Sequence, residues 1–241
     1  MAVTHAPLEL AALVDQLGRH PARALQLDLR APQDTEAWFV AACLLAARRD
    51  EARALADFRA LAQAGLTQPS RLTSADRARL AAVLEAARHP DAEAVAGRLV
   101  RAGARLAERG GSFEALAAEA DDLEALGARL ARLASGVGAA TLLRFLRPLR
   151  ERWPAAREVP LSPAARAAAR HLGLLRESED TQGEFAALRA ALSRLGDPVA
   201  FADLEAALER LGRHACQRER PARCPLGARC PARHGPEAAP G

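Results

Sequence analysis

Apolar residues recur along this chain at spacings of three and four, the period of an amphipathic helix, in one segment after another. No stretch of useful length alternates apolar and polar residues as a half-buried strand does. With only 3% aromatic residues and no Tyr, the core has to be built mainly of Leu, Ala and Val. These features predict an all-α fold, and 241 residues are enough for one or two compact domains.

Capping residues and turn residues divide the chain into helical segments. The segment AWFVAACLLAARR lacks a polar face, so it is predicted to be a central helix that is capped by Asp34 or Thr35 and buried on all sides. Its single cysteine, Cys43, is expected to be a small buried hydrophobe. Ser162 and Pro163 are typical of the N-cap and first residue of a later helix. Further helices are predicted over 10–17, 51–64, 74–88, 91–108 and 112–133.

The segment LASGVGAAT, residues 133–141, interrupts the helical pattern with two glycines two positions apart. Leucines keep one helical face before it and resume that face after it, which predicts a helix, a tight turn and a second helix. Gly136 and Gly138 are expected to take positive φ angles and to let outward-pointing amides approach an anion such as a DNA phosphate. An ordinary helix–helix corner is the alternative, because G-x-G alone is a weak signal.

The charged residues favour an acidic partner. The chain contains no Lys, so all 34 basic residues are Arg, and the formal net charge is +4. The first residues lack the features of a signal peptide, and the longest apolar run, 37–47, is too short to span a bilayer. The protein is therefore expected to be a cytoplasmic monomer without a membrane partner.

Three of the four cysteines lie near the C-terminus, at the spacing Cys216-x7-Cys224-x5-Cys230, and His234 follows after three more residues. Clustered thiols in a cytoplasmic protein are more typical of metal ligands than of disulfides. The loop over residues 214–234 is therefore predicted to bind a metal. Three reduced surface cysteines are the alternative.

Four segments of the chain, in this order, resemble the endonuclease III branch of the helix-hairpin-helix DNA glycosylases. LASGVGAAT stands where the family has its hairpin L-P-G-V-G-x-K-T, and LLAARRD resembles the end of its L-L-S-x-Q-x-x-D helix. VPLSPAARAAARHLGLL resembles its P-V-D-T-H segment and the following helix. LGRHACQRERPARCPLGARCP resembles the entry to its iron–sulfur loop. The resemblance covers most of the chain.

This resemblance implies a helix-hairpin-helix DNA glycosylase-like architecture. A helical barrel domain over 34–150 would carry the hairpin, and a second helical domain formed by 1–33 and 151–241 would carry the metal loop. The implied partner is double-stranded DNA, intact or damaged. The residues implied to contact it are Gly136, Val137, Gly138 and Thr141 of the hairpin, Arg48 at the position of the family's Gln, and Arg218, Arg220 and Arg223 of the loop.

The resemblance also implies a [4Fe-4S] cluster. Cys216, Cys224 and Cys230 match the first, third and fourth cysteines of the family's C-x6-C-x2-C-x5-C motif, whereas the second is missing and His234 is the nearest substitute. A Cys3His set suits a tetrahedral zinc ion equally well. The spacing also resembles the CCCH zinc fingers that bind RNA, although those stack bases on aromatic side chains and this loop has none.

Two catalytic residues of the family are not matched. The family's lysine, which attacks the sugar C1′ as an amine nucleophile, falls on Ala140, and its aspartate, which assists loss of the base, falls on Ser162. Three functions therefore stay open. They are a DNA-binding relative of the base excision repair enzymes with weak or no glycosylase and AP-lyase activity, an active glycosylase with an altered site, and a Cys3His zinc protein that binds RNA or a protein partner.

Overall fold

The structure is a computed structural model, and it describes residues 10–48, 50–109, 111–133, 137–176, 180–194, 199–218, 224–227 and 230. All regular secondary structure within these ranges is helical, which confirms the predicted all-α class. None of the helices described there is long and apolar enough to cross a membrane. The α-helices are α1 (Leu10–Leu17), α2 (Pro21–Ala24), α3 (Pro32–Ala47), α4 (Glu51–Gln63), α5 (Asp76–Ala86), α6 (Ala92–Glu108), α7 (Phe113–Ala118), α8 (Leu123–Leu133), α9 (Ala139–Leu146), α10 (Pro163–His171), α11 (Thr181–Ser193) and α12 (Phe201–His214).

The chain forms two compact units. Unit 1 consists of Met1–His20 and Pro160–Gly241, and unit 2 consists of Pro21–Val159. Unit 2 extends beyond the predicted 34–150 on both sides. The unit is longer at both ends because Ala22 and Trp153 are buried in the same core as α3.

The central helix of unit 2 is α3, which is buried without interruption from Thr35 to Leu45 and packs against α4, α6, α7 and α9. The prediction of a helix buried on all sides is thereby confirmed. The predicted cap was wrong, since the helix begins at Pro32, a residue whose fixed φ suits the first helical position. Asp34 instead accepts a hydrogen bond from the backbone N–H of Asp28 at 2.8 Å.

Aromatic rings fill the space around α3. Phe39, Phe113, Phe145 and Trp153 form a continuous set of ring contacts with centroid separations from 4.9 to 5.8 Å. Trp38 lies beside them, and its indole Nε1–H donates to the backbone carbonyl of Phe145 at 3.0 Å. Such ring pairs add stability beyond the area they bury. The few aromatic residues of the chain are therefore concentrated where α3, α7 and α9 meet.

The helix predicted over 112–133 is interrupted. Ser112 accepts a hydrogen bond from the N–H of Ala115 at 3.1 Å and caps α7, and Asp122 accepts from the N–H of Ala125 at 2.7 Å at the start of α8. Two side chains that satisfy helix-initiating amides explain two helix starts within this segment.

Unit 1 is built around the contact between α10 and α12, with α1 packed on α12. Ser162 caps α10 by accepting a hydrogen bond from the N–H of Ala165 at 3.1 Å, and Pro163 is the first helical residue, as predicted. At Gly212 the two helices approach so closely that an added Cβ would overlap the carbonyl group of Ala164. A glycine hydrogen is the only side chain that this spacing admits.

Candidate functional site

The exit of the predicted hairpin is the start of α9 in unit 2. Gly138 is the N-cap of this helix, and no side chain caps its first amides. Gly138, Ala139 and Ala140 are all exposed. The first helical N–H groups have no partner inside a helix, and they carry the positive end of the helix dipole. An anion can therefore be bound at this point without any charged side chain.

The conformation expected for the hairpin glycines differs from the one found. Gly138 has φ −71° and ψ 158°, an extended conformation open to any residue, so the predicted positive φ is wrong at this position. An added Cβ at Gly138 would meet no atom of the described residues within 4 Å. Gly136 lies outside the described residues. The structure therefore leaves open space beside Gly138, where a larger side chain would lie between the backbone and an approaching ligand.

The start of α9 opens onto a small cleft of about 140 Å³. The hairpin contributes Val137, Gly138 and Thr141 to its lining, and the C-terminal part of α3 contributes Cys43, Ala46 and Ala47. Asp91 and Arg98 complete the cleft from the N-cap and second turn of α6. The structure thus brings one arginine that the sequence analysis had not identified next to the predicted phosphate-binding backbone.

The predicted hairpin side chains are mostly turned inward. Thr141 is buried, and its backbone N–H donates to the carbonyl of Gly138 at 2.9 Å in the first turn of α9. Val137 is half-buried and packs against the core of unit 2. Contact with a ligand at the hairpin would therefore involve backbone groups, and these two side chains hold the backbone in place.

Arg48, predicted to contact DNA, is directed into unit 2. Its side chain is 8% exposed and forms an ion pair with Asp57, which is 2% exposed. The same guanidinium donates to the backbone carbonyl of Ala87 at 3.2 Å. Contact between Arg48 and DNA stays a prediction, and it would require this buried pair to open.

His89 lies near the same pair. Its Nδ1 accepts a hydrogen bond from the N–H of Asp91 at 3.0 Å, and its buried Nε2 has no hydrogen-bond partner among the described residues. Burial lowers the pKa of His89, and the nearby Asp57 carboxylate opposes that shift. Burial also raises the pKa of Asp57, with Arg48 acting in the opposite direction. The neutral imidazole is the form that this environment favours.

Cys43 is buried, as predicted, although it borders the cleft. Burial raises the pKa of its thiol to about 12, while Arg98 acts in the opposite direction. A thiol with such a pKa stays protonated near neutral pH, and only the thiolate is a strong nucleophile. Cys43 therefore acts as an apolar wall of the cleft.

The three C-terminal cysteines lie in unit 1, on one apolar cluster. Cys224 and Cys230 are buried in it and Cys216 packs against it, half-buried. Burial, together with the proximity of Cys224 and Cys230, raises the pKa of the Cys216 thiol to about 11. All three are thiols and none forms a disulfide. The structure thus brings together the three cysteines that the sequence spacing had singled out.

These thiols do not by themselves make a complete metal site. Within the described ranges, no three His, Cys, Asp or Glu side chains are arranged to hold a metal ion. The predicted fourth ligand, His234, lies outside the described residues, as do Arg220 and Arg223. Arg218 ends a short 3-10 helix, Cys216–Arg218. Thiols suit zinc and iron–sulfur clusters chemically, and their arrangement supplies at most part of a ligand set.

The two positions that the resemblance aligns with catalytic residues of the glycosylases, Ala140 and Ser162, carry no charge. Ala140 is exposed in the first turn of α9, and Ser162 is buried, with its hydroxyl engaged as the cap of α10. An alanine methyl cannot form an imine, and a capping hydroxyl cannot supply the negative charge of a carboxylate.

Two features of this region had signals that the sequence analysis did not use. Asp57 is a single carboxylate on the buried face of α4, between Ala54 and Leu61, and such a residue needs a charged partner. Arg98 lies on α6, two helices before α8 and the hairpin, and periodicity alone does not show which neighbour it faces. No family model, curated protein or solved structure matches this chain.

Proposed function

We propose that this chain is a DNA-binding protein of the endonuclease III-like class in base excision repair, with weak or no glycosylase and AP-lyase activity. The observation that carries the proposal is the uncapped, exposed start of α9 at Gly138, which borders a cleft together with Arg98. Its partner would be double-stranded DNA, bound through the phosphate backbone.

The physical argument combines two sources of positive potential. The first amides of α9 point away from the helix, and the aligned peptide dipoles place about half a positive charge there. Arg98 adds a full positive charge beside the same cleft, whose lining also contains the carboxylate of Asp91. Contacts of this kind bind phosphate without reading base sequence, so the affinity would depend strongly on salt and weakly on sequence.

A metal in the C-terminal loop is a second part of the proposal. Cys216, Cys224 and Cys230 would supply three thiolate ligands, and their shared burial in unit 1 supports this assignment. A [4Fe-4S] cluster is proposed first, and zinc is the alternative that would accompany an RNA- or protein-binding Cys3His protein. An iron–sulfur protein is brown and absorbs near 400 nm, whereas a zinc protein is colourless.

The binding proposal is tested with Gly138→Val. Because a Cβ at Gly138 meets no atom within 4 Å, the variant should fold as the parent does, and its isopropyl group should obstruct the phosphate. Gly127→Val is the matched control, since Gly127 on α8 also has open space around an added Cβ. Duplex affinity, measured by fluorescence anisotropy at several salt concentrations, should fall roughly tenfold for Gly138→Val alone, about the share of one or two phosphate contacts.

A parent protein that does not bind duplex DNA, or whose affinity does not change with salt, would refute the proposal. Equal affinities of the parent, Gly138→Val and Gly127→Val would show that the start of α9 is not the contact.

The lack of lyase chemistry is tested on DNA that contains an abasic site. Since the chain has no Lys, its only primary amine is the N-terminal one, and borohydride should trap little or no covalent adduct with the parent. Ala140→Lys should produce a trapped adduct, because the new amine would stand exposed in the first turn of α9. Ala128→Lys, at an exposed position of α8, is the control and should produce no trapped adduct.

Efficient base removal or strand cleavage by the unmodified protein would favour the alternative of an active glycosylase with an altered site.

A further inference from the structure

The helix α6 carries three arginines along one face. Arg98, Arg101 and Arg105 follow the spacing i, i+3, i+7, which places them in one row about 10.5 Å long. Arg101 is exposed, and the other two are half-buried. We call these three residues the α6 row. None of them belongs to the hairpin motif or to the cysteine loop.

The α6 row meets the hairpin on both sides. Arg105 donates to the backbone carbonyl of Arg132 in the last turn of α8, which enters the hairpin. At the other end of the row, Arg98 shares the 140 Å³ cleft with Gly138, the residue that starts α9. The helix α6 therefore passes beside both the entrance and the exit of the hairpin, and its charges lie next to the proposed DNA contact.

A second cleft, of about 290 Å³, also has Arg98 in its lining. Its charged lining residues are Arg77 from α5 and Glu93, Arg98 and Arg101 from α6. Arg77 pairs with Glu93 at 3.2 Å, in an exposed arrangement. Three arginines therefore share one cleft with a single carboxylate.

Gly97 lies at the point where two of these guanidinium groups converge. A Cβ at this position would lie 3.2 Å from Nη1 of Arg101 and 3.7 Å from Nε of Arg77. The glycine thus leaves room for both arginines above the surface of α6. Like charges placed this close repel each other, and a bound anion would relieve that repulsion. Arginine forks match the geometry of phosphate oxygens, so a phosphodiester is the anion that suits them.

From these contacts we infer that Arg77, Arg98 and Arg101 form a second phosphate-binding site, which holds the backbone of the same duplex beside the hairpin. This inference depends on the proposed DNA-binding function and deepens it. The shared residue Arg98 joins the two clefts, so the backbone of one strand would run from the start of α9 along the α6 row. The site would add affinity and fix the orientation of the duplex without reading its sequence.

The test compares Arg77→Gln/Arg101→Gln with Arg79→Gln. Arg79 lies on α5 two residues after Arg77, on another face of the helix, where it donates to the carbonyl of Ala64. Each lost phosphate contact reduces the magnitude of the slope of log K against log salt by about 0.9. The slope of the double variant should therefore be smaller by about 1.8, and its affinity at 0.15 M salt should be roughly 30-fold lower. Arg79→Gln should keep the parent slope.

The loss should be the same for duplexes of unrelated sequence, and thermal melting of all variants should match the parent. The inference can fail by itself if the parent binds DNA and Gly138→Val weakens that binding. A double variant that then keeps the parent's salt slope would overturn this inference and leave the proposed function standing. If the parent does not bind duplex DNA, the proposed function and this inference fall together.

Discussion

Unit 1 and unit 2 fill their cores in different ways. Unit 2 surrounds α3 with large rings, and its helices are held apart by Phe and Trp side chains. Within the described part of unit 1 the rings form one pair, Phe185 with Phe201, and α10 approaches α12 closely at Gly212. Where two backbones lie this close, the contact depends on backbone spacing, because no flexible side-chain atoms lie between them to adjust when that spacing changes.

Among the described glycines of unit 2, Gly103 alone lies as close to another backbone, and the contact is of a different kind. An added Cβ at Gly103 of α6 would overlap the carbonyl of Pro69, which belongs to the 3-10 helix Pro69–Arg71. A single turn between loops can shift more easily than a whole helix. The same substitution should therefore have unequal effects on the stability of the two units.

The largest effect is expected for Gly212→Ala. The new methyl group would force α10 away from α12, and we expect a loss of about 4 kcal/mol or more in the free energy of unfolding. Gly103→Ala should cost about half as much, since the 3-10 helix can move. Gly127→Ala is the control and should be neutral or slightly stabilising. Urea unfolding measures all three, and equal losses at Gly212 and Gly103 would contradict the comparison.

A smaller effect is expected where the thiols complete the core of unit 1. Cys224→Ser and Cys230→Ser should release the proposed metal and lower stability by about 2 kcal/mol, or roughly 4–8 °C in Tm. Cys43→Ser places the same change in the core of unit 2 and should leave the metal content unchanged. Metal analysis and thermal melting separate the two effects. Unchanged metal content in both C-terminal variants would refute the ligand assignment.

The smallest effect concerns the polar interior of unit 2. Burial lowers the folded-state pKa of His89, so the unfolded chain binds the proton more tightly. The stability that this histidine contributes is therefore complete above its usual pKa of 6.5 and is lost as the pH falls through and below that value. His89→Gln keeps an acceptor for the N–H of Asp91 and cannot titrate in this range. The parent should thus lose more stability than His89→Gln between pH 7.5 and pH 5, by a difference on the order of 1 kcal/mol or less.

Chemical unfolding at both pH values provides this comparison. A parent and variant with the same pH dependence would show that His89 is not the titrating group.

Much of the secondary structure followed from local signals in the sequence. The apolar segment of α3 predicted a buried helix because no helical face of it was polar, and Ser162–Pro163 predicted a helix start because both residues suit those positions. The helix ends were less accurate. The start of α3 was missed, and the helix over 112–133 was predicted without its break, because several residues there could serve as caps.

The candidate site shows the same division between local and tertiary information. The spacing of the three cysteines was enough to group them, and the structure places them on one apolar cluster. The two hairpin glycines predicted an anion-binding turn, whereas the φ angle of Gly138 could not be inferred from its residue type. Arg48 matched a family position in the sequence, and only the fold brought Asp57 within reach of its guanidinium.

The sequence by itself therefore determined the helical class, the central helix and the absence of any lysine side chain, because each depends on residue type or on neighbours within a few positions. The tertiary structure decided which glycines separate helices and which border open space, and which arginines face the hairpin. Gly212 and Gly138 have the same side chain, and Arg48 and Arg98 carry the same charge. Their environments differ because different segments of the chain pack against them in the fold, and a local sequence pattern cannot predict such contacts.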